Sequence, residues 1–122
     1  MPKEKKILVA EDEKPMARAL ELKLTSAGFS VSVAYDGADA LEKMSKNKYD
    51  LLLLDLVMPK KDGFTVLEEM KEKGIKIPVI VATNLSQDGD KEKTKQLGAS
   101  EYLVKSDVPI SDVIEIVKKT LK

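Results

Sequence analysis

Four acidic residues follow short apolar runs in this chain, where a carboxylate could act beside a bound cation. Asp55 comes directly after four leucines, and Glu11, Asp12 and Glu13 follow the run Ile-Leu-Val-Ala. A charge at the edge of a core is costly unless it is paired, hydrated or bound to a cation. Mg²⁺ relieves repulsion between carboxylates and needs only one or two of them. A carboxylate beside it can act as a nucleophile and form an aspartyl-phosphate.

Simpler explanations exist for each acidic segment taken alone. Asp55 could merely end a strand, as most such aspartates do. The Glu11–Glu13 segment could be an acidic first turn, which the helix dipole favours at a helix N-terminus. The metal interpretation gains strength only if both segments meet at one place in the fold.

A hydroxyl and an ammonium group stand at comparable positions. Thr83 and Asn84 follow the apolar run Val-Ile-Val-Ala, and Lys105 follows Tyr-Leu-Val. Cationic and hydroxyl groups neutralise the oxygens of a transferred phosphoryl group. Singly, Thr83 is an ordinary strand residue and Lys105 an ordinary surface lysine, so the prediction depends on their joint placement.

Composition excludes several function classes. The 122 residues are 43% hydrophobic with zero formal net charge, and Arg18 is the single arginine, so nucleic-acid binding receives no support. Cysteine and histidine are absent, which excludes thiolate or Ser-His-Asp catalysis and His-ligated metals. The opening segment has only four consecutive apolar residues, too few for a signal peptide or membrane span. We expect one soluble, cytoplasmic domain over residues 1–122, without membrane contact.

Short apolar runs alternate with helical periodicity along the whole chain. The predicted strands cover residues 6–10, 29–35, 50–56, 77–83 and 100–105. The predicted helices cover residues 15–28, 37–47, 63–74, 86–98 and 111–122. Ser111 is the predicted N-cap of the fifth helix. Leu97 is the only strong apolar anchor of the fourth helix, so we expect that helix to be weakly held.

Strands alternating with helices predict an α/β fold with a doubly wound, five-stranded parallel sheet. The continuous apolar runs fit strands buried on both faces. For a flavodoxin-like (βα)5 order of 2-1-3-4-5, ligands bind beyond the carboxyl ends of strands 1 and 3. This topology brings the polar residues described above to one rim.

The motifs ILVAEDE, DLLLLDLVMPKKDGFTVL, PVIVAT and GASEYLVK together resemble the receiver domain of two-component response regulators. The resemblance covers essentially the whole chain and is specific as a set. It implies that Asp55 is the phosphoacceptor. It also implies that Glu11, Asp12, Asp55 and the main-chain carbonyl of Val57 hold Mg²⁺, for which Mn²⁺ could substitute.

The same resemblance implies a switch and its partners. Thr83 matches the switch hydroxyl, Lys105 the lysine that pairs with the phosphoryl group, and Tyr102 the aromatic that moves inward with the threonine. The donor would be a sensor histidine kinase or a histidine phosphotransfer protein. The fourth helix, fifth strand and fifth helix would form the face for a downstream protein target or output domain, and a dimer could form through that face. The family acts as a signalling switch that assists its own phosphorylation and dephosphorylation, rather than as an enzyme.

Three features depart from the family pattern or qualify it. Asn84 stands where a small residue is usual and could narrow access to Asp55. Ser106 replaces the common proline after the lysine, so a cis peptide is not expected there, because a non-proline cis bond costs about 2.5–4 kcal/mol. Val57 and Leu85 flank the site and cannot hold an attacking water, which predicts slow hydrolysis of the phosphoryl group.

Three other functions compete for the same sequence. A flavin or nucleotide binder needs a phosphate-cradling loop after strand 1, where Glu-Asp-Glu stands here instead. An aspartyl phosphohydrolase commonly has a second acid two residues after its nucleophile, where this chain has Val57. A degenerate receiver that only binds partners disagrees with the complete set of acids, hydroxyl and lysine. No output domain follows Lys122 in the sequence, so a stand-alone regulator and an excised domain both stay open.

Overall fold

The computed structural model describes residues 4–85 and 88–122, with Asp88 described by its backbone alone, as ten alternating strands and helices. The strands are β1 (Lys6–Ala10), β2 (Ser30–Ala34), β3 (Leu51–Leu54), β4 (Val79–Thr83) and β5 (Glu101–Val104). The helices are α1 (Lys14–Ser26), α2 (Gly37–Lys46), α3 (Gly63–Glu72), α4 (Asp88–Gln96) and α5 (Ile110–Thr120). Within these ranges, none of the helices combines the length and apolar character that a membrane crossing requires.

The five strands form one parallel sheet in the order β2-β1-β3-β4-β5, which confirms the predicted order 2-1-3-4-5. In the central pair, Ala10 of β1 lies beside Leu54 of β3. The chain direction is the same in all strands, so every strand ends at the same edge. The sheet therefore presents the residues that follow β1, β3, β4 and β5 side by side.

Alternate residues of the central strands pack into two separate cores, because successive strand side chains point to opposite faces. On one face, Leu52 and Leu54 contact residues of α2 and α3, such as Leu41 and Val66. On the other face, β3 contributes Leu51 and Leu53, which join apolar residues of α1 and α5. All four leucines are at most 2% exposed, so β3 is covered on both sides, as a continuous apolar run predicts.

Side-chain caps mark the start of α2 and α3, and the start of α5 corrects one prediction. Asp36 and Asp62 cap α2 and α3 by accepting hydrogen bonds from the backbone N–H groups of Asp39 and Thr65. The prediction that Ser111 caps the last helix was wrong. Pro109 occupies that position with extended backbone, and its carbonyl accepts the N–H of Val113 at 3.2 Å, so Ser111 lies inside the first turn.

None of the described side chains of α4 belongs to either apolar core, in agreement with its polar sequence. The predicted range 86–98 starts with two residues that lie outside the described part of the chain, and the described helix runs from Asp88 to Gln96. Leu97 packs only partly buried against the core. The prediction missed Thr94, which is 1% exposed and donates its hydroxyl to the Lys91 carbonyl at 2.9 Å.

Candidate functional site

The two central strands deliver the acidic residues to neighbouring positions. Ala10 and Leu54 are paired across β1 and β3, and Glu11 and Asp55 are the next residues of each strand. The Asp55 N–H donates to the Ala10 carbonyl at 3.0 Å, and the Glu11 N–H donates to the Ala34 carbonyl at 3.0 Å. The sheet's hydrogen bonding therefore continues one residue past the strands and fixes the backbone of both acids.

Three carboxylates converge at this edge. Glu11, Asp12 and Asp55 each place one carboxylate oxygen within 4.8 Å of the others. Glu11 is 2% and Asp55 is 5% exposed, so two of the three charges are largely removed from water. Oxygen donors in this arrangement match the ligands that Mg²⁺ prefers, and the residues present fit such an ion.

Lys105 places its ammonium group inside the acidic cluster. Its Nζ lies 2.6 Å from Glu11 Oε1, 3.1 Å from Asp55 Oδ2 and 3.6 Å from Glu13 Oε1. The Lys105 side chain is 7% exposed. Burial lowers the pKa of this amine, but the hydrogen bonds and charges of Glu11 and Asp55 more than offset that effect and raise it. The ammonium therefore stays charged at neutral pH.

Glu11 is costly to ionise at this site, chiefly because it is buried. Burial, opposed by the hydrogen bond from Lys105 and reinforced by the negative charge of Asp55, raises the pKa of Glu11 to about 7. Desolvation disfavours the charged form of a carboxyl group, and a nearby like charge does the same. A second cation placed among these oxygens would relieve both effects.

A small cavity of about 230 Å³ opens beside Asp55. Its lining comes from the carboxyl ends of four strands and the loops that follow them: Asp12, Glu13, Asp55, Val57, Thr83, Asn84 and Lys105. A larger cleft of about 490 Å³ lies at the amino-terminal edge of the sheet, near Val79 and Ile75. The smaller cavity is the candidate site, because the acidic cluster and Lys105 lie there.

Thr83 and Tyr102 are joined through the backbone of Leu85. Thr83 is fully buried at the end of β4, and its hydroxyl oxygen accepts the Leu85 N–H at 3.4 Å. The Tyr102 hydroxyl donates to the Leu85 carbonyl at 2.6 Å. Burial raises the pKa of Tyr102, with smaller contributions from Asp90 and Asp55, so its phenol stays protonated and can donate. A movement of either side chain would therefore disturb the backbone of Leu85, to which the other side chain is bonded.

Asn84 and Ser106 connect two loops at the rim of the cavity. Asn84 is exposed at the cavity, and its Oδ1 accepts the Ser106 N–H at 3.2 Å. This bond ties the loop after β4 to the loop after β5. The Lys105–Ser106 peptide is trans, as no cis bond occurs in the described chain, which agrees with the expectation for serine at this position.

The loop from Val57 to Asp62 connects Asp55 to α3 and carries the carbonyl predicted to hold the metal. The Val57 N–H donates to Asp55 Oδ1 at 3.2 Å, and the Val57 side chain is 57% exposed. Gly63 lets this loop close against β3, because a Cβ there would lie 2.6 Å from the Asp55 carbonyl oxygen. The Gly63 N–H donates to the Leu56 carbonyl at 2.9 Å. This local structure fixes the residues on either side of Asp55.

Sequence reasoning singled out Glu11, Asp12, Asp55, Thr83 and Lys105, and the structure brings all of them to one cavity or its acidic wall. Sequence reasoning missed the pairing of Lys105 with Glu11. The two residues are 94 positions apart, so no sequence spacing could show this contact. It also missed the proximity of Glu13 to the lysine, although the Glu-Asp-Glu run was a signal for it.

Comparison with known proteins agrees with this arrangement. The family model of the response regulator receiver domain matches residues 7–118. The transcriptional regulatory protein DltR of Streptococcus agalactiae serotype III (strain NEM316) is 43% identical over 100 residues, which are 82% of this chain and 45% of that protein. The chain therefore spans about half the length of the curated relatives it matches.

Solved structures extend the likeness to the whole fold. The receiver domain of the Francisella response regulator 1452 is 32% identical, with a TM-score of 0.90 and coverage of 96% of both chains. The BeF3-activated N-terminal receiver domain of Klebsiella pneumoniae RstA is 27% identical, with a TM-score of 0.88 and coverage of 96% of this chain and 98% of that one. The sequence match over residues 7–118 and the shared fold lead to one conclusion: this chain belongs to the response regulator receiver domain family of two-component systems.

Proposed function

We propose that the chain, as one receiver domain over residues 1–122, accepts a phosphoryl group on Asp55 and thereby changes its surface. One observation carries the proposal. The nearly buried Asp55 carboxylate faces a cavity lined by Thr83 and Lys105, with Glu11 and Asp12 beside it. A nucleophile, cation ligands and phosphoryl-neutralising groups are thus adjacent. Family membership favours this function over a flavin binder or a phosphohydrolase.

The donor in this proposal is a phosphohistidine of a sensor histidine kinase or a histidine phosphotransfer protein. A carboxylate oxygen of Asp55 forms a bond to phosphorus while the phosphorus–nitrogen bond breaks. The imidazole leaves with the electron pair of that bond and, with a proton on its other nitrogen, departs neutral. Because this chain contains no histidine, the phosphohistidine must belong to another protein or domain.

Glu11, Asp12, Asp55 and the Val57 carbonyl would hold Mg²⁺, with Mn²⁺ as a substitute. The ion supplies Lewis-acid charge stabilisation for the transferring phosphoryl group. The proposed set is supported by the 4.8 Å clustering of the three carboxylates and by the raised pKa of Glu11. The clustering brings like charges together, and burial, with the charge of Asp55, makes the ionised form of Glu11 costly.

Lys105 and Thr83 would bind the phosphoryl oxygens. The Lys105 ammonium already contacts Asp55 Oδ2 at 3.1 Å, so it stands within reach of an oxygen added to that carboxylate. The Thr83 hydroxyl lines the same cavity and gives up only a long hydrogen bond of 3.4 Å if it turns toward Asp55. Charge-assisted hydrogen bonds to these oxygens would replace those made in the free protein.

The proposed switch runs from Thr83 through Leu85 to Tyr102. Movement of Thr83 would disturb the Leu85 N–H bond, and the Leu85 carbonyl holds the Tyr102 hydroxyl at 2.6 Å. Phosphorylation would shift a two-state equilibrium of α4, β5 and α5. That face would then bind a downstream protein or output domain, or a second copy of the chain. The sparse apolar anchoring of α4 supports its role as the moving element.

The switch would reset by hydrolysis. Water attacks phosphorus, the bond to the Asp55 oxygen breaks, and the carboxylate and inorganic phosphate are released. The Val57 side chain lines the cavity and Leu85 follows its rim residue Asn84, and neither apolar side chain offers a hydrogen bond to orient that water. We therefore propose slow self-catalysed dephosphorylation.

The test uses acetyl phosphate as donor and intact-mass spectrometry as readout. Wild-type protein with Mg²⁺ should gain one phosphoryl group. Chelation of the metal and Asp55→Asn should each abolish the gain, whereas the matched Asp112→Asn variant, which changes an exposed acid of α5, should react like wild type. Absence of any adduct in wild type, or an undiminished adduct in Asp55→Asn, would refute the proposed function.

A further inference from the structure

Helix α2 touches the loop that follows Asp55, although no residue of α2 lies in the candidate site. A Cβ added to Gly37 would lie 1.9 Å from the Lys61 carbonyl oxygen and 2.7 Å from its carbonyl carbon. Real Cβ atoms essentially never come closer than 3.0 Å to another heavy atom. The distance between this Cβ and the Lys61 carbonyl oxygen would therefore have to increase by about 1.1 Å. The obstacle is backbone, which cannot turn aside as a flexible side chain can.

The loop at this contact is held from several sides. Lys60 has a φ of 67°, in the left-handed region that a lysine rarely adopts. Its Nζ lies 3.6 Å from Oδ2 of Asp36, the residue that caps α2. Lys61 Nζ pairs with Glu69 of α3 at 2.7 Å. An unfavourable backbone angle persists only where the surroundings impose it, and the approach to Gly37 is one such constraint.

A displacement at Lys61 cannot be absorbed at the α3 end of the loop. Gly63 is pressed against the Asp55 carbonyl and the Leu56 Cα, where a Cβ would lie 2.6 Å and 2.7 Å from them. Its N–H is also bonded to the Leu56 carbonyl. We expect the movement to pass toward Val57 and Met58 at the other end of the loop. Val57 carries the carbonyl proposed to hold the metal, and its N–H contacts Asp55 Oδ1.

We propose that Gly37 is a positioning residue for the metal side of the phosphoacceptor site. The absence of a side chain at the start of α2 lets the loop lie close enough to keep the Val57 backbone bonded to Asp55 through its N–H. This inference rests on the proposed function and adds to it a determinant on a helix outside the site. It predicts that Gly37 sets the affinity for Mg²⁺ rather than the intrinsic reactivity of Asp55.

Gly37 differs from the other glycines in this respect. Gly28, Gly74 and Gly98 have φ angles of 99°, 70° and 102° and serve helix ends, with open space where a Cβ would stand. Gly89 lies in α4 without a left-handed φ, and a Cβ added to it would meet nothing within 4 Å. Gly89→Ala is therefore the matched control for Gly37→Ala: the same atom is added with no clash.

The experiment compares Gly37→Ala, Gly89→Ala and wild type in two ways. Mg²⁺ binding is measured calorimetrically, and backbone amide shifts of residues 55–63 are recorded without metal. We expect Gly37→Ala to shift these amides in the metal-free protein and to weaken Mg²⁺ binding about tenfold, the low end for loss of a residue that supports metal ligands. With acetyl phosphate, the Mg²⁺ concentration for half-maximal rate should rise tenfold while the rate at saturating Mg²⁺ stays within twofold of wild type. Gly89→Ala should leave the metal-free amide shifts of residues 55–63 and the Mg²⁺ affinity as in wild type.

Unchanged amide shifts and unchanged Mg²⁺ affinity in folded Gly37→Ala would overturn the inference. If Gly37→Ala does not fold, Lys60→Gly decides, because it frees the same loop without adding an atom to α2, and unchanged Mg²⁺ affinity in that variant overturns the inference. Failure of wild type itself to take a phosphoryl group would refute the proposed function instead. The metal-free amide shifts and Mg²⁺ affinity remain readable in that case, so the two failures are distinct.

Discussion

Replacement of Lys105 by methionine should destabilise the metal-free protein strongly. The ammonium group of Lys105 pairs with Glu11 at 2.6 Å and Asp55 at 3.1 Å. The side chains of Lys105, Glu11 and Asp55 are 7%, 3% and 6% exposed, so solvent screens their charges little. Methionine has a similar length but no charge. The variant would leave the carboxylates to repel each other without a cation between them.

The size of the effect follows from the burial of these groups. Removal of one partner of a buried ion pair costs roughly 3–5 kcal/mol, because the other charge is left uncompensated. Proton uptake limits the loss here, because the raised pKa of Glu11 lets that carboxyl group become neutral near pH 7. We therefore expect a decrease of about 3 kcal/mol in the free energy of unfolding at about pH 8, and a smaller decrease at about pH 5.

Urea unfolding followed by circular dichroism measures this loss. Excess Mg²⁺ should add more stability to Lys105→Met than to wild type. A ligand that binds only the folded state stabilises it by mass action, and in the variant no ammonium group competes with the ion. Lys46→Met is the matched control: its ion pair with Glu42 is exposed, and the variant should unfold like wild type. A loss below about 1 kcal/mol at about pH 8, or no greater response to Mg²⁺ than in wild type, would refute this reasoning.

Three further predictions concern the same site. Glu11 has a folded pKa of about 7 against its ordinary 4.5, so its contribution to stability is complete below pH 4.5 and is lost as the pH rises through 7. Urea unfolding of the metal-free protein should show that decline, and Glu11→Gln should flatten it. Tyr102→Phe removes the hydrogen bond to the Leu85 carbonyl and should cost about 1 kcal/mol of unfolding free energy. The phosphoryl group should persist for minutes after donor removal, since Val57 and Leu85 cannot orient water; intact-mass decay within seconds would contradict this.

The fold was largely predictable from local patterns. Four consecutive leucines predicted a strand buried on both faces, and Leu51–Leu54 is that strand. The strand order depended on the flavodoxin-like rule and the family resemblance, because no local pattern specifies which strands are neighbours. The N-terminus of α5 was misplaced, because the preference of serine for caps was weighed without the fixed φ of Pro109 two residues earlier.

The members of the candidate site were predictable, but their contacts were not. Residues after parallel strands must meet at one edge, and that rule placed Asp55, Thr83 and Lys105 together. The rule gives no distances, so it could not show that Lys105 pairs with Glu11 as well as with Asp55. The closeness of Gly37 to Lys61 was also hidden, because it depends on how α2 packs over a loop 24 positions away.

The most direct test of the phosphoacceptor assignment is to trap the acyl phosphate chemically. Protein treated with acetyl phosphate and Mg²⁺ is reduced with borohydride, which converts an aspartyl-phosphate to homoserine, and the peptides are sequenced by mass spectrometry. We predict homoserine at position 55, and aspartate there when Mg²⁺ is withheld. Homoserine at another position, with position 55 unaltered, would contradict the assignment of Asp55.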